Sequence, residues 1–259
     1  MEQNLQIPGH NESSITPKSQ SYQLFRERIK IKQQPSPSLE EISYRPIKTI
    51  DDVEQLKILF KEWFPISYPD QFYEELLEEY TTFHSLLAVY RTEHNGQTVE
   101  IILGCIIYDF RSVQDILVTA PARNSLFKQY KSLYLCALGV VSEMRKKGLA
   151  TILVQTILKQ AKQNDQSIKI VYLDVISYNE IAMNFYKKNG FIKTHVKKEY
   201  YEINDQIYDS FVYCFFTEET IEQQQQNVLM KFNYVWNMSF TLLSVCRLAK
   251  PTDNKVVSV

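Results

Sequence analysis

Residues 133–151 restrict the possible folds more than any other part of the chain. Residues 133–141 form an almost continuous apolar run, which is typical of a strand buried on both faces of a sheet. A basic turn with one glycine follows at 145–151 (RKKGLAT). The spacing then predicts a helix at 144–164. Its predicted inward-facing stripe consists of Leu149, Ile152, Leu153, Thr156, Ile157 and Ala161. A buried strand that leads directly into a packed helix predicts a sheet covered by helices.

The remaining pattern extends this unit into a larger sheet. Apolar and alternating runs predict further strands at 42–46, 83–91, 99–110, 168–176, 191–203 and 207–216. Helical spacing predicts one helix that begins at Asp51 and Asp52, and others at 72–80 and 179–188. The stretch 63–70 (WFPISYPD) contains two prolines and three aromatic residues, which predicts an ordered loop. This order of elements predicts the α/β class, with an α+β mixed sheet.

Charge and cysteine usage exclude several classes of function. The 259 residues include 29 basic and 30 acidic ones, so nothing in the charge requires nucleic acid as a partner. The four cysteines lie far apart without a C-x-x-C pair, which argues against a zinc site or a disulfide framework. We therefore expect free thiols, no metal and a reducing compartment. The N-terminus lacks the basic and apolar regions of a signal peptide, so we expect the domain to face the cytosol.

Composition divides the chain into four parts. Residues 1–40 are polar and predict a disordered tail, 41–218 predict the folded domain, and 219–226 predict a Gln-rich linker. Residues 227–250 predict an amphipathic helix with one apolar stripe, formed by Val228, Phe232, Val235, Met238, Leu242 and Val245. Asn and Lys interrupt this segment too often for a transmembrane span. By pattern alone, a helix in a membrane interface and a helix packed on the domain remain equally open.

The basic turn has a definite chemical use. A helix N-terminus presents free N–H groups and the positive end of the helix dipole, which suit a diphosphate. Gly148 allows the backbone to approach phosphates closely, Ala150 is also small, and Lys146 and Lys147 add positive charge. The alternative is an ordinary basic helix start that binds nothing.

Further motifs lie before and after this turn. Leu138, Gly139 and Val140 precede it, and Asn179 and the run 184–191 (NFYKKNGF) follow. Over residues 42–216 the chain resembles the GNAT superfamily of N-acetyltransferases. The resemblance implies splayed central strands, acetyl-CoA as co-substrate, and a pantetheine arm that pairs with the edge of the Leu138–Val140 strand. It implies cofactor contacts from Leu138, Gly139, Val140, Arg145, Lys146, Lys147, Gly148, Leu149, Ala150, Thr151, Asn179, Tyr186 and Asn189.

Within that superfamily, the chain is similar to amino-terminal acetyltransferases. The similarity lies in the loop 63–70, in Tyr134 before the strand end, in Tyr172-Leu173-x-Val175 and in the pair Tyr200-Tyr201. It implies acetylation of the α-amine of proteins that begin with Met and a hydrophobic residue or Lys. It also implies membrane-protein substrates and peripheral attachment to the cytosolic face of the Golgi or another endomembrane, or otherwise a cytoplasmic location. The implied substrate-binding residues are Phe64, Pro65, Tyr68, Cys136, Tyr200 and Tyr201.

The resemblance implies Tyr134 and Asp174 as the catalytic pair, with two departures from the family. Relatives carry a histidine where this chain has Asp174, and an acid where it has Ser67. A carboxylate is a weaker base than imidazole, so a structural role for Asp174 stays open, as it does for Tyr186 and for His195. Two other functions also stay open: lysine acetylation of proteins such as histones, and a catalytically weak acyl-CoA-binding protein on a membrane.

Overall fold

Seven strands form one sheet in the computed structural model, which describes residues 37–94, 96–112, 131–164 and 167–217. The strands are β1 (Ile42–Arg45), β2 (Phe83–His94), β3 (Gln97–Ser112), β4 (Lys131–Val140), β5 (Ile168–Ile176), β6 (Ile192–Ile203) and β7 (Gln206–Phe216). Their order in the sheet is β1-β2-β3-β4-β5-β7-β6, and all neighbours are antiparallel except β4 and β5. The described helices are α1 (Ile50–Trp63), α2 (Asp70–Glu75), α3 (Leu149–Asn164) and α4 (Glu180–Lys188). The predicted mixed α/β sheet is therefore confirmed.

Two predicted helix boundaries were wrong. The helix expected at 72–80 is α2, which ends at Glu75 because four glutamates of 74–79 crowd a helix C-terminus, where negative charge is unfavourable. The helix expected from residue 144 begins only at Leu149, because Lys146 and Gly148 have φ angles of 59° and 93°. Such angles lie in the left-handed region and cannot continue a right-handed helix. Residues 142–144 form a short 3₁₀ turn instead.

The core lies between the sheet and the helices α1 and α3. Val53, Leu56, Leu59, Phe60 and Trp63 form the buried stripe of α1. On α3 the buried stripe is Leu149, Leu153, Val154, Ile157, Leu158 and Ala161, whereas the predicted Ile152 and Thr156 are only half-buried. The indole of Trp63 packs directly on the α-carbon of Gly139, where a Cβ atom would lie only 1.9 Å from the ring. This contact requires glycine at position 139.

The only parallel pairing in the described sheet is short. β4 and β5 pair from Lys131 opposite Ile168 to Tyr134 opposite Tyr172, and no further. Beyond these residues β4 remains paired with β3, and β5 remains paired with β7. The two central strands therefore separate, as the resemblance implied. At the same place Cys136 is a β-bulge, because Leu135 and Ala137 pair with consecutive residues of β3.

The parts outside the domain are mostly beyond the described residues. The predicted tail lies there up to residue 36, and Leu39–Glu41 at its end form a 3₁₀ turn. The predicted linker at 219–226 and the predicted helix at 227–250 lie there as well. None of the helices that the structure describes is long and apolar enough to span a membrane. Of the cysteines, Cys105 and Cys214 are buried free thiols, and Cys136 is a half-buried one.

A buried ion pair fixes the start of α1 to the sheet. The Asp52 carboxylate accepts hydrogen bonds from Nη1 and Nη2 of Arg45 at 2.9 and 2.7 Å, and from the backbone N–H groups of Lys48 and Thr49. Burial alone would raise the pKa of Asp52, but these hydrogen bonds outweigh it and the pKa is lowered. The ion pair therefore stabilises the fold above the pKa of an unfolded aspartate, and its contribution is lost as pH falls through the lower folded pKa.

We predict that Asp52→Asn lowers the free energy of unfolding by about 2 kcal/mol near neutral pH, because it weakens several charge-assisted hydrogen bonds and leaves Glu100 as the remaining ion-pair partner of Arg45. Urea denaturation measures this change. The difference from the unsubstituted protein should shrink in acid, where Asp52 becomes protonated. Asp70→Asn is the matched control, since its side chain is 87% exposed and its ion pair with Lys57 is long, at 3.7 Å. An equal loss in both variants would contradict the prediction.

Candidate active site

Two predicted catalytic residues meet where β4 and β5 separate. The hydroxyl of Tyr134, the last β4 residue that pairs with β5, donates a hydrogen bond to Oδ2 of Asp174 at 3.2 Å. The Tyr134 ring packs against Tyr172, with 4.9 Å between the ring centroids. Both tyrosines belong to a small apolar cluster separate from the main core. The two residues predicted as the catalytic pair therefore lie in contact where the strands separate, and their catalytic role stays a prediction.

The Asp174 carboxylate is saturated with donors. Its side chain is only 2% exposed, and besides Tyr134 it accepts a hydrogen bond from Oγ of Ser210 at 3.0 Å. The ammonium of Lys197 lies 2.9 Å from it. A buried carboxylate needs such partners, because an isolated buried charge is very costly. Asp174 is therefore held as an acceptor that orients its neighbours.

Asp174 also determines which way the Tyr134 hydroxyl faces. A phenol has one proton and two lone pairs, and here the proton points at Asp174. On the other side of the ring, Cζ of Arg111 lies 4.2 Å from the Tyr134 ring centroid, and Nε of Arg111 donates to Asp109 at 3.2 Å.

His195, the one histidine considered functional, is a neutral neighbour of this pair. It lies in β6 with its ring 3.0 Å from Oγ1 of Thr194. Burial, assisted by the positive charge of Lys197 and opposed by Asp174, lowers the pKa of His195 to about 4. Its imidazole therefore carries no charge near neutral pH.

The aromatic residues predicted to bind substrate form two groups. Phe64 and Tyr68 follow α1 and join the core through Phe60, at centroid distances of 5.0 and 5.1 Å. The predicted Pro65 lies half-buried between them. Across the sheet, Tyr200 and Tyr201 meet edge to face, with ring centroids 4.9 Å apart.

The tyrosine pair lies in an irregular part of β6. Pairing with β7 shifts between Lys197 and Tyr201, and Glu199 has a φ of 52°. Asp209 of β7 holds this bulge, because it accepts from the Glu199 N–H at 3.0 Å and from the Lys198 ammonium at 2.7 Å. Bulges turn side chains away from the regular alternation of a strand. This one explains why two consecutive tyrosines can contact each other.

The basic turn after β4 has the geometry that an anion needs. Lys146 and Gly148 have left-handed φ angles, and a Cβ built at Gly148 would meet no atom within 4 Å. Nε of Arg145 donates to the carbonyl of Val140 at 3.1 Å, which ties the turn to the strand end. Successive N–H groups in such a turn, together with the first turn of α3, form a concave anion site. Lys146, Lys147 and Thr151 are exposed beside it, whereas Leu149 is buried and Ala150 half-buried.

The predicted cofactor residues of α4 also have structural contacts. Oδ1 of Asn179 caps α4 by accepting from the Ala182 N–H at 3.0 Å. Nδ2 of Asn189 donates to the Phe185 carbonyl, and its Oδ1 accepts from Gln155. Tyr186 is 7% exposed, and burial raises its pKa above the usual range. The contacts of these residues with a cofactor stay predictions.

Three site residues were missed by sequence reasoning: Arg111, Lys197 and Ser210. The available signal was Asp174 itself, since a carboxylate in a buried strand predicts a cation on a neighbouring strand. The bulge in β6 breaks the alternation of side chains, so the sequence does not indicate which lysine of β6 faces Asp174. In the part of the chain that the structure describes, no group of three His, Cys, Asp or Glu side chains could hold a metal ion.

Comparison with known proteins agrees with this geometry. Residues 53–191 match the family model described as Acetyltransferase (GNAT) family. The chain belongs to this family and is an acyltransferase that uses acetyl-CoA. The open Gly148 turn and the unpaired edge of β4 suit that cofactor.

Curated relatives include an amino-terminal acetyltransferase and a histone acetyltransferase. The chain is 31% identical to N-alpha-acetyltransferase 60 of Danio rerio over 70% of its length and 72% of that protein. It is 28% identical to histone acetyltransferase MCC1 of Arabidopsis thaliana, over 68% of this chain and 70% of that one. Crystal structures of Arabidopsis thaliana NAA60 with a bisubstrate analogue and with acetyl-CoA superpose with TM-scores of 0.58 and 0.57, at 26% and 25% identity. They cover 68% of this chain and 97% and 98% of those chains.

We predict that Gly148→Ala weakens acetyl-CoA binding by about tenfold, because a Cβ strains the left-handed backbone and fills the space before the turn. Isothermal titration calorimetry with acetyl-CoA measures the change. Gly96→Ala is a matched control: Gly96 also has a positive φ with no atom near its Cβ, but it lies in the β2–β3 hairpin. Equal affinity of Gly148→Ala and the unsubstituted protein would remove the turn from the binding site.

Proposed function

We propose that this protein transfers the acetyl group of acetyl-CoA to the free α-amine of protein N-termini. The observation that carries the proposal is the Tyr134 hydroxyl, which donates to Asp174 where β4 and β5 separate. An α-ammonium has a pKa of about 7.7–8.0, so it must lose a proton before its nitrogen can attack. Tyr134 can take that proton, directly or through water, as its own hydroxyl proton passes to Asp174.

The donor side uses the turn and the strand edge. Bound acetyl-CoA supplies a thioester, whose acetyl carbon is open to attack. Residues 145–151 hold the diphosphate, and backbone N–H groups near Leu138–Val140 stabilise the charge that develops on the carbonyl oxygen. As the new N–C bond forms and the C–S bond breaks, the amine proton leaves through Tyr134 and the leaving thiolate takes a proton. The resemblance implies Tyr186 as its donor, and burial, which raises the pKa of Tyr186, makes this hydroxyl a weak acid.

The acceptor side favours a chain end. Phe64, Pro65 and Tyr68 border one side of the opening and Tyr200 with Tyr201 the other. Such aromatic walls suit an N-terminal Met followed by a hydrophobic residue or the aliphatic stem of Lys. The similarity to N-alpha-acetyltransferase 60 supports this choice. The similarity to a histone acetyltransferase supports a second candidate, acetylation of lysine side chains within a protein.

The test is acetylation of three peptides by the purified full-length protein. Mass spectrometry measures the acetylated product of each peptide. We expect transfer to a Met-Leu peptide and a Met-Lys peptide, and little transfer to a lysine peptide with a blocked N-terminus. Tyr134→Phe should lower kcat/KM by about 100-fold, because it removes the proton acceptor while the ring remains. Its affinity for acetyl-CoA should not change.

Each other outcome has a meaning. Transfer to the blocked peptide alone would favour the lysine acetyltransferase. Binding of acetyl-CoA without transfer to any of the three peptides would favour a catalytically weak binding protein. Full activity of Tyr134→Phe would remove Tyr134 from the mechanism.

We also propose that residues 227–250 attach the protein to the cytosolic face of the Golgi or another endomembrane, which would make membrane proteins its substrates. The support is their sequence alone: one apolar stripe and aromatic residues such as Tyr234 and Trp236 suit a membrane interface.

Removal of residues 220–259 should therefore release a fluorescent fusion of the protein into the cytosol, and residues 220–259 fused to the same reporter should associate with membranes. Asp substitutions of Phe232, Val235 and Leu242 should have the effect of removal, because charge on the stripe opposes insertion. Asp substitutions of Asn233, Asn237 and Ser244 on the opposite side are the control. A diffuse tail fusion, or equal effects on both sides, would refute membrane attachment.

A further inference from the structure

Two cations lie against the Tyr134–Asp174 pair, and each comes from a different strand. Arg111 of β3 lies over the Tyr134 ring, and Lys197 of β6 forms an ion pair with Asp174. Their side chains are 17% and 22% exposed, so both cations are largely withdrawn from water. Long basic side chains are rarely so buried unless they are paired. Their burial beside the reacting pair is unexplained by the core.

The Arg111 guanidinium is held by two contacts. Nε of its guanidinium donates to Asp109, and Cζ lies 4.2 Å from the Tyr134 ring centroid. Burial disfavours its charge, but Tyr172, Tyr134 and Cys136 together with Asp109 raise the pKa of Arg111 above the usual value. A guanidinium over an aromatic face is attracted by the ring and limits its rotation. Arg111 therefore holds the Tyr134 ring in one orientation.

Lys197 connects the reacting pair with the acceptor side. Its ammonium lies 2.9 Å from Asp174 and 4.5 Å from the centroid of the Tyr200 ring. In the register, Lys197 pairs with Ser210, whose hydroxyl also donates to Asp174. It is the last β6 residue paired with β7 before the bulge that carries Tyr200 and Tyr201. One side chain thus contacts both halves of the opening.

We propose that Arg111 and Lys197 are positioning residues for acetyl transfer, which keep the Tyr134 hydroxyl directed at Asp174 so that the proton of the acceptor amine can leave through this pair. This proposal rests on the proposed function. Arg111 acts on the ring of Tyr134, and Lys197 acts on the carboxylate that accepts the Tyr134 proton. Neither is expected to touch acetyl-CoA.

The charges also affect how readily Tyr134 gives up its proton. Asp174 alone would hold the phenolic proton, and two nearby cations oppose this by stabilising the phenolate. The ionisable groups around the pair come from every adjoining strand, and they are Asp109, Arg111, Cys136, Tyr172, His195, Lys197 and Cys214. Removing either cation should therefore move the ionisation of Tyr134 to higher pH. A substitution that keeps the charge should leave it near its original value.

The kinetic test compares Lys197→Met with Lys197→Arg in the full-length protein. We expect Lys197→Met to lower kcat by about tenfold, because a misplaced acceptor loses alignment, with little change in acetyl-CoA affinity. The pH profile of kcat/KM should shift to higher pH. Lys197→Arg should restore most of both, since it keeps the charge. Lys159→Met is the control, because Lys159 is an exposed residue of α3 away from the pair.

A double substitution asks whether Lys197 acts through Asp174. In an Asp174→Asn background, Lys197→Met should have little further effect, because the carboxylate that it positions is already gone. Independent, multiplying losses would overturn this part of the proposal. Arg111→Gln and Arg111→Lys form the corresponding pair for Tyr134. Arg91→Gln is their control, since Arg91 is 64% exposed and pairs with Glu100 of β3.

A final measurement does not depend on the acceptor. In protein labelled with ¹³Cζ-tyrosine, Tyr134→Phe assigns the Tyr134 signal, and its titration midpoint is followed by NMR. We expect the midpoint to rise in Lys197→Met and Arg111→Gln, and to return towards the original value in Lys197→Arg and Arg111→Lys. Unchanged midpoints in folded variants would overturn the proposal even in an active enzyme. Shifted midpoints in a protein that acetylates none of the peptides would support the positioning role and sink the proposed function.

Discussion

The site depends on how early the parallel pairing of β4 and β5 ends. Pairing stops at Tyr134 and Tyr172, yet each strand keeps its other neighbour, so the gap opens without loosening the sheet. Backbone groups that would have joined the two strands are then available to a ligand, because buried N–H and C=O groups require partners. The same strand runs on into the basic turn before α3. One continuous segment, 131–151, thus contains both the strand edge proposed for the cofactor arm and the turn proposed for its diphosphate.

A row of alternating charge crosses the sheet at this gap. Asp109, Arg111, Asp174 and Lys197 come from three strands, and Tyr134 lies between the two pairs. Buried charges are stable only when paired, so each member depends on the next. The row therefore does more than balance charge, because it also holds the hydroxyl and the ring of Tyr134. It also accounts for a carboxylate at the position where the family resemblance implies a histidine.

Local patterns were enough to predict the donor half of the site, because its parts are contiguous, and its contacts with the cofactor stay predictions. The strand, Gly148 and the helix start lie within 19 residues, so spacing alone places them together. The acceptor half was predicted only as far as the resemblance reached, namely Tyr134, Asp174 and the aromatic residues. Lys197 and Ser210 were not predicted, because the strand register decides which side chains meet. The bulge between Lys197 and Tyr201 breaks the alternation from which that register is inferred. Helix ends were also misplaced where charge crowding and left-handed angles, rather than apolar spacing, decide them.

Replacing an imidazole by a carboxylate changes how the acceptor half is built. A neutral imidazole accepts a proton by itself, whereas Asp174 needs a cation and a second hydroxyl to remain buried. Those groups are Lys197 and Ser210, and both belong to the β6–β7 hairpin that also carries Tyr200 and Tyr201. The residues that would contact the substrate's first side chains are therefore joined through Lys197 to the residues that would accept its proton. If a peptide displaced Tyr200, the contacts of Lys197 would carry the disturbance to Asp174, so this arrangement would couple acceptor binding to proton transfer.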